Sequence, residues 1–193
     1  MTVLQIMTDS GGETLLRTAD PARIGTELAA FHVDFQRRPA EHPLPAAADQ
    51  DAVLALYRDQ VDRLCAQRGF RLVDVARMQP RTDDPEWTAQ AATARQRFLS
   101  EHRHSEDEVR FFVEGRGCFY LHLENRVYAV VCEAGDLLSV PSGTKHWYDM
   151  GEVPHFCAIR FFEEDDGWVG DFTGDPVAER IPSLDELMSQ AAV

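Results

Sequence analysis

The sequence predicts a mainly β protein, an antiparallel barrel or jelly roll with helices from the N-terminal half packed on it. Two observations lead there. From Glu101 onward, six short apolar runs follow one another: "EVRFFVEG", "GCFYLHL", "RVYAVVC", "DLLSVP", "KHWYDM" and "HFCAIRFF". Turn residues such as Gly115-Arg116-Gly117 and Glu124-Asn125 separate them, and evenly spaced short strands are the mark of an all-β array. Before Glu101, helical periodicity alternates with strand-like stretches instead.

Taken in order, Val3 to Met7 reads as a strand ended by "TDSGG". Asp20-Pro21 starts a helix, with Asp as the cap and Pro at the first helical position, running to about Ala30. "HVDFQ" alternates as a strand does, and Pro39, Pro43 and Pro45 mark a loop. From Asp51, the residues Val53, Tyr57, Val61 and Leu64 recur at helical spacing until Gly69 closes the helix. "FRLVDVARM" is strand-like again. A third helix starts at Asp84-Pro85, carries Trp87, Ala91, Ala94 and Phe98 on one face, and stops before Glu101. "SLDELMSQAAV" is expected to be a short helix or a frayed end. With no repeat or low-complexity linker, one domain is expected over 1–193: a helix-and-strand part (1–100), a barrel core (101–172) and a tail (173–193).

The chain has 193 residues, 44% of them hydrophobic, enough for a sizeable core. Its formal net charge is −14, which disfavours nucleic acid or an anionic membrane as partner and suits a small ligand or a held cation. The N-terminal residues lack the basic start and apolar run of a signal peptide, and no stretch has the length of a membrane span. Cys65, Cys118, Cys132 and Cys157 form no CxxC pair and are expected to be reduced and packed. A cytoplasmic protein is expected.

The chemistry concentrates in "EHRHSEDEVRFFVEG". Residues two apart on a strand share a face, so His102 and His104 point together, as do Glu108, Arg110 and Phe112. Imidazole and carboxylate suit a borderline divalent metal such as iron or nickel. A fourth ligand is sought in another strand, where Gly135, Pro141, Gly143 and His146 are spaced Gly-x5-Pro-x-Gly-x2-His, a turn that presents the histidine. One carboxylate against a divalent cation leaves net positive charge, which suits an anionic ligand. Arg110 would then set a permanent cation beside that anion, or else form a salt bridge to Glu108 or another acid. Phe112 and other inward aromatics would exclude water and line the site with apolar surface. His32, His42, His122 and His155 lack a paired ligand at metal spacing and read as core or surface residues. Trp147 and Trp168 read as packing, and Arg160 as a further substrate-side candidate.

His102, His104, Glu108 and Gly115 match the first cupin motif, His-x-His-x3-Glu-x6-Gly, and the second is complete through His146. Gln96 and Met150 stand where many cupins carry Gly and Asn, and neither is a ligand position. Together "EHRHSEDEVRFFVEGRG", "VPSGTKHWYDMG", "AIRFFEEDDGWVGDFTGD", "YRDQVDRLCAQRGFRLVDV" and "RQRFLSEH" resemble the acireductone dioxygenases of methionine salvage over nearly the whole chain.

The resemblance implies one Fe2+ or Ni2+ per chain on His102, His104, Glu108 and His146, with two open coordination positions. It implies that Arg110 helps generate and hold the substrate dianion, with Glu101 linked to metal incorporation and Asp107 to conformational transmission. The implied partners are acireductone and O2, with no nucleic acid or membrane, and a monomer is expected. Two other readings stay open: another metal-dependent cupin, such as a thiol dioxygenase or sugar isomerase, and a non-catalytic metal-binding cupin.

Overall fold

The computed structural model describes residues 1–11, 13–40, 42–164 and 169–190. In chain order the strands are β1 (Val3–Thr8), β2 (Thr14–Thr18), β3 (Asp34–Arg37), β4 (Leu72–Met78), β5 (His102–Arg103), β6 (Glu108–Leu123), β7 (Arg126–Glu133), β8 (Asp136–Val140), β9 (His146–Asp149), β10 (Phe156–Phe162) and β11 (Asp171–Phe172). The helices are α1 (Pro21–Ala29), α2 (Gln50–Leu56), α3 (Arg58–Arg68), α4 (Pro85–Phe98) and α5 (Leu184–Ser189), with a 3-10 turn at Pro176–Arg180.

Strand β6 joins two antiparallel layers. Its first half pairs with β10 and β8, and β4 and β3 extend that layer on either side. Its second half pairs with β7 and β9, flanked by β1, β2, β5 and β11. The strands thus form one mainly antiparallel cupin-type sheet that does not close on itself. Between the layers lies an apolar core that includes Leu4, Ile24, Leu28, Phe112, Phe119 and Phe156, all under a tenth exposed.

The Gly115-Arg116-Gly117 stretch, expected as a turn, lies inside the 16-residue β6. Here the strand bends and changes partners rather than reversing. Gly115 has φ 62°, and a Cβ there would stand 1.9 Å from the His155 carbonyl oxygen, so only glycine lets β6 cross between the layers at this point.

The helix expected over Asp51–Gly69 is two helices. Tyr57 leaves helical geometry (φ −108°, ψ 16°), buries its ring against Phe111 and donates its hydroxyl to the His42 carbonyl. Anchoring that aromatic outweighs one more helical turn. The other helix starts fall where expected, since Asp20 and Asp84 accept from the free amides of α1 and α4. The strands β2, β5 and β11 have no alternating run long enough to announce them. Strand β3 begins two residues later than the "HVDFQ" run, because His32 sits at φ 61°. Residues 1–100 also supply four strands to the two layers, so this part and the core after it share one sheet.

Cys118, Cys132 and Cys157 are buried free thiols and Cys65 is half-buried, as expected. Burial pushes the Cys157 thiol up to about 12 and those of Cys118 and Cys132 well above their ordinary value. Among the described residues no helix is long and apolar enough to cross a membrane. Trp168 and the last three residues of the expected tail helix lie outside the described residues.

Candidate metal centre

His102 lies on β5, His104 just after it, Glu108 opens β6 and His146 opens β9. The β5–β9 register sets His102 directly across from His146. Their turns are tied together: the Gly143 amide donates to the His104 carbonyl at 2.9 Å, and the Ser142 amide to the Asp107 carboxylate at 2.9 Å. Contacts between residues 35 and 39 positions apart thereby hold the two sequence motifs as one unit.

One ligand-capable atom from each of His102, His104, Glu108 and His146 lies within 4.8 Å of the others. Each imidazole uses Nδ1 on a backbone carbonyl: Ser100 for His102 at 2.8 Å, Val169 for His104 at 2.9 Å and Thr144 for His146 at 2.8 Å. Such bonds fix the ring and leave Nε2 for a metal. The Nε2 atoms of His146 and His104 converge on Glu108 Oε2 at 2.6 and 3.4 Å. Nitrogen and oxygen donors in the first shell of a divalent ion sit ~2.0–2.2 Å from it, hence ~3–4 Å from one another. This donor set fits such an ion.

Electrostatics favours an ionised carboxylate at Glu108 and a neutral ring at His102. Burial alone would raise the Glu108 carboxyl, but the Arg110 guanidinium and the two imidazoles outweigh it and hold it well below the usual range. Desolvation, then the neighbouring His146, lowers His102 and favours its neutral form. His104 is also desolvated, yet its bond to Glu108 and that carboxylate's charge raise it overall.

Arg110 does form the ion pair with Glu108, at 2.5 Å to Oε1, and donates a second bond to the Val109 carbonyl. Its guanidinium still borders a cavity of about 450 Å³ that meets the cluster at His102, His104 and Glu108. The apolar wall includes Phe112, Phe119, Tyr148, Met150, Phe156 and Ala158. Arg160 also borders it but is held in a two-pronged pair with Asp74. Trp147 faces away and stacks on Tyr120 at 5.0 Å, as a packing residue should.

His122 departs from its expected isolation. Its Nδ1 lies 2.5 Å from a carboxylate oxygen of buried Glu101, whose other oxygen accepts from Thr173 at 2.6 Å. The pairing brings Glu101, just before β5, against His122 on β6, 21 positions along the chain, so no local spacing announced it. Sequence reasoning also passed over Phe98, Tyr148 and Met150 as cavity residues. For the last two a signal existed: His146, Tyr148 and Met150 alternate along one strand face.

Residues 3–170 match the model of the ARD/ARD' family. Acireductone dioxygenase 1 of Nocardia farcinica (strain IFM 10152) is 61% identical over 189 residues, covering 97% of this chain and 100% of that protein. Acireductone dioxygenase of Frankia alni (strain DSM 45986 / CECT 9034 / ACN14a) is 52% identical over 193 residues, covering 100% of this chain and 93% of the relative. In fold, the chain is similar to an acireductone dioxygenase from Bacillus anthracis with a cadmium ion in its active centre, with TM-score 0.73 at 24% identity, covering 89% of this chain and 98% of that one. With a family match over most of its length and relatives above half identity, the chain belongs to the ARD/ARD' family, the acireductone dioxygenases.

Proposed function

We propose that the protein cleaves acireductone, 1,2-dihydroxy-5-(methylthio)pent-1-en-3-one, with O2 in methionine salvage. With Fe2+ the products are 4-methylthio-2-oxobutanoate and formate. With Ni2+ they are 3-methylthiopropanoate, formate and carbon monoxide. In both outcomes the two atoms of O2 end in the products and no external reductant is consumed. The observation that carries the reading is the convergence of three carbonyl-oriented imidazoles and one carboxylate at the end of a cavity bordered by Arg110.

His102, His104, Glu108 and His146 are assigned as the metal ligands. A divalent metal held by these four residues would act as a Lewis acid toward an enediolate. The chain does the rest. Arg110, a permanent cation desolvated beside Glu108, opposes the charge of the substrate dianion where little water can screen it. Phe112, Phe119 and Phe156 hold the apolar tail and keep the reacting end dry. Asp107 is assigned to conformational transmission, because its bond to the Ser142 amide links the Glu108 and His146 turns. Glu101, one residue from His102 and bonded to His122 and Thr173, is assigned to metal incorporation.

The test is to reconstitute one apo preparation separately with Fe2+ and Ni2+ and to supply acireductone and O2. The expected result is keto acid and formate from the iron form, and carbon monoxide in the headspace from the nickel form alone. Equal carbon monoxide from both, or none from a fully loaded, oxygen-consuming nickel form, would overturn the metal-dependent outcome. Full metal loading without oxygen uptake would favour a binding protein.

A further inference from the structure

His146, Tyr148 and Met150 alternate along β9 and its extension, so one strand face runs from the metal cluster into the apolar cavity. At ~3.3 Å per residue, Met150 lies roughly 13 Å along the strand from His146. Its side chain is only 4% exposed and packs in the core shared with Phe112, Phe119 and Phe156. Met150 also lines a second cavity of about 540 Å³, with Gly115, Val153, Leu184 and Met188 and none of the four cluster residues on its wall. That cavity reaches solvent, since Val153 on its wall is 52% exposed. Met150 is therefore the partition between the cavity at the metal and an open space behind it.

We propose that Met150 determines substrate specificity by closing the tail pocket and so setting the longest apolar tail the site accepts. A short thioether tail fills the space up to the Met150 side chain, while a longer one meets it. Methionine suits such a wall, being unbranched and adaptable, so it packs against tails of slightly different shape without leaving a void. Cutting the side chain back should join the two cavities into one channel. Enlarging it should shorten the pocket. The proposal rests on the substrate reading above for the identity of the tail, but not for the partition itself.

The test uses alkyl hydroxamates of two to ten carbons, whose bidentate head takes the open metal positions, bound to the nickel-loaded protein and measured by calorimetry without oxygen. In the unaltered protein, affinity should rise roughly three- to fourfold per added methylene and then stop where the tail meets Met150. In Met150→Ala the rise should continue for several further methylenes, and in Met150→Phe it should stop earlier. Met188→Ala, which alters only the second cavity, should keep the original cutoff. The same cutoff in both Met150 variants overturns the proposal, and if the alanine protein does not fold the phenylalanine variant decides it alone. Oxygen uptake with acireductone by the unaltered protein is measured in parallel. A shifted cutoff without uptake refutes the substrate reading and leaves the partition standing; uptake with an unshifted cutoff does the reverse.

Discussion

Arg110 and Glu108 share one carboxylate's work unequally: the guanidinium takes Oε1 at 2.5 Å, leaving Oε2 to the imidazoles 2.6 Å and 3.4 Å away. The salt bridge to Glu108 and the proposed substrate-facing role of Arg110 are thus compatible in one arrangement. The ion pair aims the guanidinium at the cavity edge and keeps Glu108 ionised, so its free oxygen is ready for a cation.

From that division of roles, Arg110→Ala should keep bound metal while turnover falls by ~10²–10³, the usual cost of removing a group that stabilises charge at the reacting centre. Arg110→Lys should recover only part of the loss, because an ammonium cannot span the Val109 carbonyl and Glu108 with a planar fork. Metal content by elemental analysis, set beside kcat, checks both. Unchanged turnover in the alanine variant would leave Arg110 with the ion pair alone.

His146→Ala should remove the metal itself. The ring is 2% exposed, oriented by the Thr144 carbonyl, and is the cross-strand partner of His102. Losing it should lower metal affinity by more than the ~10–100-fold typical of losing an outer hydrogen-bond partner. Equilibrium dialysis against a competing chelator measures this, and full occupancy in the variant would defeat the assignment.

How far the site was legible follows from how local each relation is. His102, His104 and Glu108 lie within seven residues, close enough to be grouped from the sequence, where period two paired His102 with His104 and set Glu108 beside Arg110 and Phe112. His146 followed from a turn whose Gly and Pro are visible in sequence. Glu101–His122 and Arg160–Asp74 depend on which strands become neighbours, and no spacing within one segment encodes that. The fold shows the same division. Caps at Asp20 and Asp84 are local chemistry and were readable. The break at Tyr57 and the unbroken β6 through Gly115 are decided by partners far along the chain: Phe111 for one, His155 and Phe156 for the other.

The thiols give a prediction free of the metal. Cys118, Cys132 and Cys157 are buried with their pKa values raised, so little reactive thiolate forms at neutral pH. Cys65 is half-buried on α3, and its thiol is raised too, by burial and then by Asp62. A thiol-reactive dye should label the native protein slowly and at Cys65 alone, and denatured protein at all four cysteines. Fast labelling of Cys118, Cys132 or Cys157 in native protein would contradict this packing.

Asp149 gives the fold a dependence on acid. Its carboxylate receives two bonds from Arg95, at 2.7 and 3.0 Å, and the amides of Gly151 and Leu184, both at 2.9 Å. Burial would raise its pKa, but Arg95 and the two amides outweigh that and lower it. A group depressed in the folded state stabilises fully above its unfolded value of ~3.9 and loses that contribution as pH falls through the folded value. Asp149→Asn should therefore be less stable than the unaltered protein at pH 6, with the gap narrowing below about pH 4 as the native carboxylate protonates. Arg95→Ala should be worse at neutral pH, by about 2–4 kcal/mol, because it strands a buried charge; the Arg95 side chain is 17% exposed, so the loss stays below that of a fully enclosed pair. Urea midpoints from pH 6 down to pH 2.5 measure both effects. A gap between the unaltered and Asp149→Asn proteins that stays constant over that range would mean that Asp149 is not the acid-sensitive tie between α4, β9 and α5.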